Sequence, residues 1–383
     1  MIFRTPTLRA EDLRAIALIE EQRRQLRIHV AEPRRWVGRL RRTSLARAIQ
    51  GSNSIEGYVV GLDDALAAVE NEDPLETERA TWQAILGYRN AMTYVLRLAT
   101  DPHFVLNEAL LKSLQFMMTQ YDLRTNPGTW RRGDSYVRND ATREVVYTGA
   151  DSDDIPALMA ELVDQIDDSD DPPLVRAAMA HLNLVMIHPF TNGNGRMARC
   201  LQTLVLAREG ILAPQFSSVE EYLGANTDAY YRVLADVGHG HWEPTSDARP
   251  WIRFMLTAHY RQGATLLRRV SESQSLWQLV EDLASTRGVH QRSLSALFDA
   301  AQGRRIRRSS YLASLEDPVS DPVATRDLRR LVAAGLLVPH GERRAREYRA
   351  APELAALQIS ARRRSADVGG LDPYAPDADP TLF

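Results

Sequence analysis

The chain has 383 residues, 44% hydrophobic and 25% charged, enough for two or three domains with cores of their own. Its net charge of −3 gives no global field for nucleic acid or membrane, and a single cysteine, Cys200, excludes an internal disulfide framework and suits a reducing compartment. No run of about eighteen apolar residues exists to cross a bilayer. The start, Met1-Ile2-Phe3-Arg4-Thr5-Pro6, lacks the apolar stretch of a signal peptide, so a cytoplasmic protein is expected.

Residues 8–30 carry helical spacing (Leu8, Leu13, Ile16, Leu18, Ile19, Leu26) with charges between. Pro33 and the arginine-rich stretch to Arg42 are expected to separate this helix from a second, 43–50. That helix leads into Ser52-Asn53-Ser54-Ile55-Glu56-Gly57, which read locally is only a capped helical turn. A short helix follows over 59–72, with Asp63 and Asp64 in its first turns, where negative charge suits the dipole. Longer helices are expected over 77–99 and 107–119, with Met117 and Met118 as packing residues.

Between residues 125 and 149 the pattern changes. Pro127-Gly128 marks a turn, and 130–137 and 144–148 read as two strands of a lone hairpin in an otherwise helical chain. Asp151, Asp153, Asp154, Asp167, Asp168, Asp170 and Asp171 flank a helix over 155–166, and their spacing fits no calcium loop. An apolar run over 174–187 then reaches His188-Pro189-Phe190-Thr191-Asn192-Gly193-Asn194-Gly195-Arg196-Met197-Ala198-Arg199. Pro189 stops the helix for want of an N–H, which leaves His188 at a fixed end. Gly193 and Gly195 let the backbone turn and approach an anion, and a new helix begins there and runs to Ala207. Arg196 and Arg199, three apart, share a face and are placed to reach polyphosphate. The residues alone imply phosphoryl-group chemistry with a histidine base.

Beyond it, 215–223 leads into Asn226-Thr227-Asp228-Ala229-Tyr230-Tyr231-Arg232, and Gly238-His239-Gly240-His241-Trp242 reads as a flexible loop rather than half a metal site. An apolar helix, 250–262, closes the bundle. From about Ser273 the organisation restarts with helices over 276–283, 294–301, 309–315 and 323–334. Gly335 stops the last, and strands over 336–339 and 346–350 flank Gly341-Glu342-Arg343-Arg344. The tail from Ser365, rich in Asp, Pro and Gly, is expected to be disordered.

The twelve residues from His188 resemble the Fic family signature, His-Pro-Phe-x-(Asp/Glu)-Gly-Asn-Gly-Arg-x-x-Arg, with eight of nine fixed positions matching and Asn192 standing where the family has an acid. The resemblance implies a mainly α fold: a helical bundle with a β-hairpin flap, then a small winged helix–turn–helix. On that reading 1–104 is an N-terminal helical region and 105–260 the Fic domain, with its flap at about 129–148 and signature at 188–199. A winged helix then covers 273–352 and a tail 361–383. It implies protein adenylylation: AMP moves from ATP to a Ser, Thr or Tyr hydroxyl held by the flap, with His188 as base. Gly193, Asn194, Gly195, Arg196, Met197 and Arg199 bind the nucleotide, and Tyr230 and Tyr231 border it. Mg²⁺ is implied at Asn192, where an amide replaces the carboxylate charge. Ser52 and Glu56 resemble the family's inhibitory motif, (Ser/Thr)-x-x-x-Glu-(Gly/Asn), which implies that Glu56 pairs with Arg199 and restrains the enzyme. Arg326, Arg329, Arg330, Arg343, Arg344 and Arg346 are placed to contact DNA phosphate, with protein as the other candidate partner of the winged helix. A homodimer is left open. The rival reading is a weak or inactive Fic-derived regulator that senses nucleotide.

Overall fold

The structure is a computed structural model that describes residues 1–31, 35–138, 142–210, 213–315, 317–342, 346–362 and 371–378. These fall into two compact units: Met1–Ile28, Arg41–Ala264 and the described part of Val368–Thr381 in the first, His29–Leu40 and the described part of Thr265–Asp367 in the second. In chain order come α1 (Ala10–Ala31), α2 (Arg35–Ile55), α3 (Leu62–Glu70), α4 (Arg79–Leu98), α5 (Glu108–Thr119), β1 (Tyr136–Arg138), β2 (Val145–Thr148) and α6 (Ile155–Asp168). Then follow α7 (Pro173–Ile187), α8 (Asn194–Arg208), α9 (Pro214–Ser217), α10 (Glu220–Ala225), α11 (Thr227–Gly238) and α12 (Arg249–Thr286). The mainly α expectation holds. No helix among the described residues is long and apolar enough to cross a membrane.

The antiparallel pair α7 and α8 is the centre of the first unit. Helix α7 starts on Pro173, whose missing N–H costs nothing in a first turn, and is apolar on almost every side. Such a helix belongs inside, and all but three of its residues are buried. Its few polar side chains are fully bonded. Asn183 accepts from the Phe3 backbone N–H at 2.8 Å and donates back to the Phe3 carbonyl at 3.1 Å, which fixes the first residues of the chain against the core. From α12, the Trp251 indole donates to the Ala178 carbonyl at 2.8 Å.

The hairpin is shorter than its sequence suggests. Its first strand begins at Tyr136, and Trp130 instead packs under the signature loop on Phe190, ring centroids 4.8 Å apart. The register pairs Tyr136 with Thr148 and Val137 with Tyr147, with an irregularity before Arg138. Residues 238–242 brace the hairpin, since Thr148 bridges to His241 and donates to the Gly240 carbonyl at 3.0 Å. Asn139, Asp140 and Ala141 lie outside the described residues.

Three expectations need correction. From Arg35 the arginine-rich stretch is no linker but the first half of α2, where Trp36, Val37 and Leu40 are buried and Arg39 pairs with Asp299, while Pro33 and Arg34 lie outside the described residues. The helices expected over 250–262 and 276–283 are one, α12, which runs unbroken through 38 residues, while the compact units do divide within it, between Ala264 and Thr265, near the expected restart. Nor is the described part of the tail, residues 371–378, loose. Arg261 donates to the Leu371 carbonyl at 2.7 Å, and Arg253 lies 5.1 Å from the centre of the Tyr374 ring.

The second unit continues with α13 (Leu294–Ala301), α14 (Arg308–Ala313), α15 (Asp321–Ala333), β3 (Leu337–His340), β4 (Glu347–Ala350) and α16 (Pro352–Arg362). Strands β3 and β4 pair antiparallel, and Ile306 bridges to Tyr348. Buried Asp327 of α15 accepts from Arg292 at 2.7 and 3.0 Å and from the Tyr311 hydroxyl at 3.0 Å, locking α15 to α14. Arg343 and Arg344 lie outside the described residues.

Glycines let α2 meet α10. A Cβ on Gly51 would stand 2.3 Å from the Glu220 carbonyl oxygen, and one on Gly224 would stand 2.6 Å from the Gly51 Cα. Gly51→Val is therefore expected to cost about 1–3 kcal/mol, read as a lower urea midpoint. Gly61→Ala, where nothing lies within 4 Å, serves as control and should stay near the parent. Equal midpoints for the two variants would refute this packing.

Candidate active site

His188 caps α7 in the left-handed conformation (φ 55°, ψ 55°), its N–H on the Leu184 carbonyl. Few residues other than glycine and asparagine adopt that geometry, and here it turns the chain at once into the loop. Its Nδ1 lies 3.2 Å from the Val185 carbonyl. A carbonyl only accepts, so Nδ1 carries the hydrogen and Nε2 is left with the lone pair. Burial lowers the imidazole pKa to about 4; the Val185 bond works the other way and nearby Arg131 reinforces the fall. The ring is a neutral base at pH 7.

Arg131 builds the surroundings of that base. Its guanidinium donates to the His188 carbonyl at 2.8 Å and to the carbonyls of Gly133 and Ala150, and its own N–H bonds the Pro189 carbonyl at 2.9 Å. The loop after His188 is closed by Asn194, which accepts from the Phe190 N–H at 2.9 Å and donates to the Phe190 carbonyl at 2.8 Å. From α5, Gln115 donates to the Asn192 carbonyl at 3.0 Å and accepts from the Gly128 N–H. Gly193 (φ 82°) opens α8, and a Cβ there would meet Thr119 at 2.9 Å.

Arg196 and Arg199 are both fully buried on the first turns of α8. Arg199 donates to the Ser52 hydroxyl at 2.8 Å, the Ser52 carbonyl at 3.0 Å and a Glu56 carboxylate oxygen at 2.7 Å. Burial pushes the Glu56 carboxyl up, but Arg199 and then Arg196 outweigh it and hold its pKa below the usual range. Arg199 is held above its ordinary value by Glu56 against the pull of burial. Among the described residues, Nε and Nη1 of Arg196 and Nη1 of Arg199 have no hydrogen-bond partner. Buried donors of positive charge left in this way mark a place for an anion.

The two tyrosines part company. Tyr230 is buried and its hydroxyl faces inward onto His181 at 3.0 Å, in a chain that continues from His181 to Gln202 (2.6 Å) and from Gln202 to His259 (3.1 Å). Tyr231 is 47% exposed and its hydroxyl donates to the Ile55 carbonyl at 3.1 Å, so it holds the segment carrying Glu56. Met197 is wholly in the core, as is Cys200. Arg131, Gln115, Tyr58 and Tyr121 are the site residues that sequence reading missed. The one signal was Arg131 itself, an arginine between Trp130 and the hairpin with no obvious surface role.

A resident magnesium ion does not fit these residues. The loop holds no carboxylate, the Asn194 amide is spent on Phe190, and the Asn192 carbonyl is taken by Gln115. Among the described residues no three acidic, histidine or cysteine side chains cluster as a metal set. Only the Asn192 side-chain amide remains, too little for a hard dication.

Residues 105–206 match the Fic/DOC family. This segment is a Fic domain. Over 100 residues the chain is 37% identical to protein adenylyltransferase fic-1 of Caenorhabditis briggsae, covering 25% of this chain and 17% of that protein. Over 255 residues it is 25% identical to protein adenylyltransferase Fic of Drosophila willistoni, covering 64% and 46%. The chain thus spans less than half the length of these relatives. A Fic family protein from Desulfovibrio desulfuricans G20 has the same fold, with TM-score 0.58 and 22% identity over 91% of this chain and 99% of that one. A Fic domain containing signaling protein from Bacteroides thetaiotaomicron matches with TM-score 0.54 and 21% identity over 65% and 96%.

Behind the Fic loop, burial lowers His181 and His259 to about 3 and raises Glu220 to about 7. The unfolded histidines take protons below about 6.5 while the folded ones refuse them, so stability is full above that pH and is lost as pH falls. Glu220 acts in the opposite sense between about 4.5 and 7 and offsets one histidine of the three, His188 included. The urea midpoint is therefore expected to fall between pH 7.5 and pH 5. A midpoint that holds or rises would mean these histidines are solvated.

Proposed function

We propose that the chain is a protein adenylyltransferase that moves AMP from ATP to a Ser, Thr or Tyr hydroxyl of a target protein or of itself. The observation that carries this reading is the set of unpartnered guanidinium nitrogens on Arg196 and Arg199, at a glycine-opened helix start, with a neutral histidine at the other end of the same loop. ATP phosphates seat on the backbone of Gly193, Asn194 and Gly195 and on the two arginines. His188 Nε2 takes the proton of the target hydroxyl as its oxygen bonds to the α-phosphorus. The bond from that phosphorus to the bridging oxygen breaks, and pyrophosphate leaves. No step is assigned to magnesium; any divalent ion would arrive with ATP.

The target docks by strand addition on the hairpin. Among the described residues β1 has no strand neighbour but β2, and Tyr136, Val145 and Val146 are exposed. Glu56 restrains the enzyme by occupying Arg199, which a γ-phosphate would otherwise claim.

A second activity belongs to the other unit: duplex DNA binding by a winged helix. Residues 265–367 hold 18 arginines against 12 acidic residues, in a chain that is net acidic overall. On α15, Asp327 points inward while Arg326, Arg329 and Arg330 are exposed on the other side.

Glu56→Gly is expected to raise transfer of label from α-labelled ATP to protein about tenfold or more, since a factor of ten needs only about 1.4 kcal/mol of lost pairing. His188→Ala in the same background should abolish it. Label that ignores His188, or ATP bound with no label even after Asn192→Asp, would replace the enzyme by a nucleotide sensor. For DNA, the full chain carrying Arg326→Ala, Arg329→Ala and Arg330→Ala should bind a mixed-sequence duplex more weakly in low salt, with a shallower salt slope. Affinity equal to the parent's would leave protein as this unit's partner.

A further inference from the structure

We infer that Tyr58 is a second arm of the restraint, covering Arg196 while Glu56 occupies Arg199, so that one segment withholds both arginines from polyphosphate. The inference rests on reading the site as an ATP seat.

Among the described residues Arg196 has no carboxylate in hydrogen-bond contact. Its guanidinium carbon lies 5.4 Å from the centre of the Tyr58 ring, within cation–π range, and its Nη2 is 3.4 Å from the Tyr121 hydroxyl. The Tyr121 hydroxyl donates in turn to the Tyr58 hydroxyl at 3.2 Å. The two tyrosines and the arginine close on one another from different parts of the chain, Tyr58 just beyond α2, Tyr121 just beyond α5 and Arg196 on α8.

The placement of Tyr58 is not independent of Glu56. The backbone N–H groups of both residues donate to the same carbonyl, that of Asn53, each at 3.0 Å. Gly57 between them has a φ of 83°, which sends the chain back over α8. Any movement that lifts Glu56 from Arg199 therefore carries Tyr58 off Arg196. Burial pushes the Tyr58 hydroxyl up to about 12, so it stays a neutral phenol. It shields the cation without neutralising it. A ring is a weaker occupant than a carboxylate, and an incoming phosphate displaces it at modest cost.

The test reads ATP affinity of the full chain by calorimetry, which needs no transfer step. Tyr58→Ala should bind ATP roughly two- to thirty-fold tighter than the parent, the range expected for removing one cation–π contact. Tyr58→Phe keeps the ring and should stay within about twofold of the parent, which also controls for folding. In an Arg196→Ala background the gain from Tyr58→Ala should vanish. Unchanged or weaker binding by Tyr58→Ala, or an equal gain without Arg196, overturns the inference. If those results accompany His188-dependent labelling in Glu56→Gly, the adenylyltransferase reading survives alone. If no variant, Glu56→Gly included, binds ATP, both fall together.

Discussion

Two guanidinium groups buried at the start of one helix set the terms for the rest of the first unit. Positive charge out of water needs a counter-charge or dense hydrogen bonding, and a helix N-terminus adds to the burden because its own N–H groups already carry positive potential. The protein meets this in part. Ser52 and Glu56 satisfy most of Arg199, while Arg196 is left with a tyrosine ring and one long contact. The site is stable enough to form and incomplete enough to want an anion. Much of the packing around it serves this arrangement: α2 must come close for Ser52 to reach Arg199, and it comes close because Gly51 and Gly224 face each other.

The parts of this design that the sequence reveals are those written as short local patterns. His188 to Arg199 is one, because base, turn and arginines follow each other within twelve residues. Glu56 is another, though its pairing with Arg199 comes from resemblance and not from any property of Ser52 to Gly57. The parts that stay hidden are made by contacts far apart in the chain. Arg131 gives only a faint sign in sequence, its place between Trp130 and the hairpin, and its importance comes from four carbonyls that only the fold brings together. Tyr58 and Tyr121 are 63 residues apart, and no periodicity links them.

Errors in element boundaries have the same origin. The arginines before Arg42 look like a solvated linker, yet one of them, Arg39, is buried against Asp299, so helix and charge coexist. A proline-poor, polar stretch before Ser273 looks like a gap between helices, but nothing in it lacks a backbone donor, and α12 continues through the point where the compact units divide. The tail rich in Asp and Pro reads as disordered by composition. Composition does not register that Tyr374 supplies a ring for Arg253.

The root of the hairpin and the end of α7 share their carbonyls. Tyr147 donates to the Met186 carbonyl at 2.9 Å, the Ala150 N–H to that of Ile187 at 3.3 Å, and Arg131 joins His188 to Ala150. The strand that would receive a partner and the imidazole that would act on it are thus mounted on one frame. A segment added to β1 would be held in register with His188, and slipping it by one residue would turn its hydroxyl to the opposite face. On the proposed function, such a device would measure position along an extended backbone and ask little of the neighbouring side chains. Its selectivity would be that of a ruler, set by where a partner offers a loose strand.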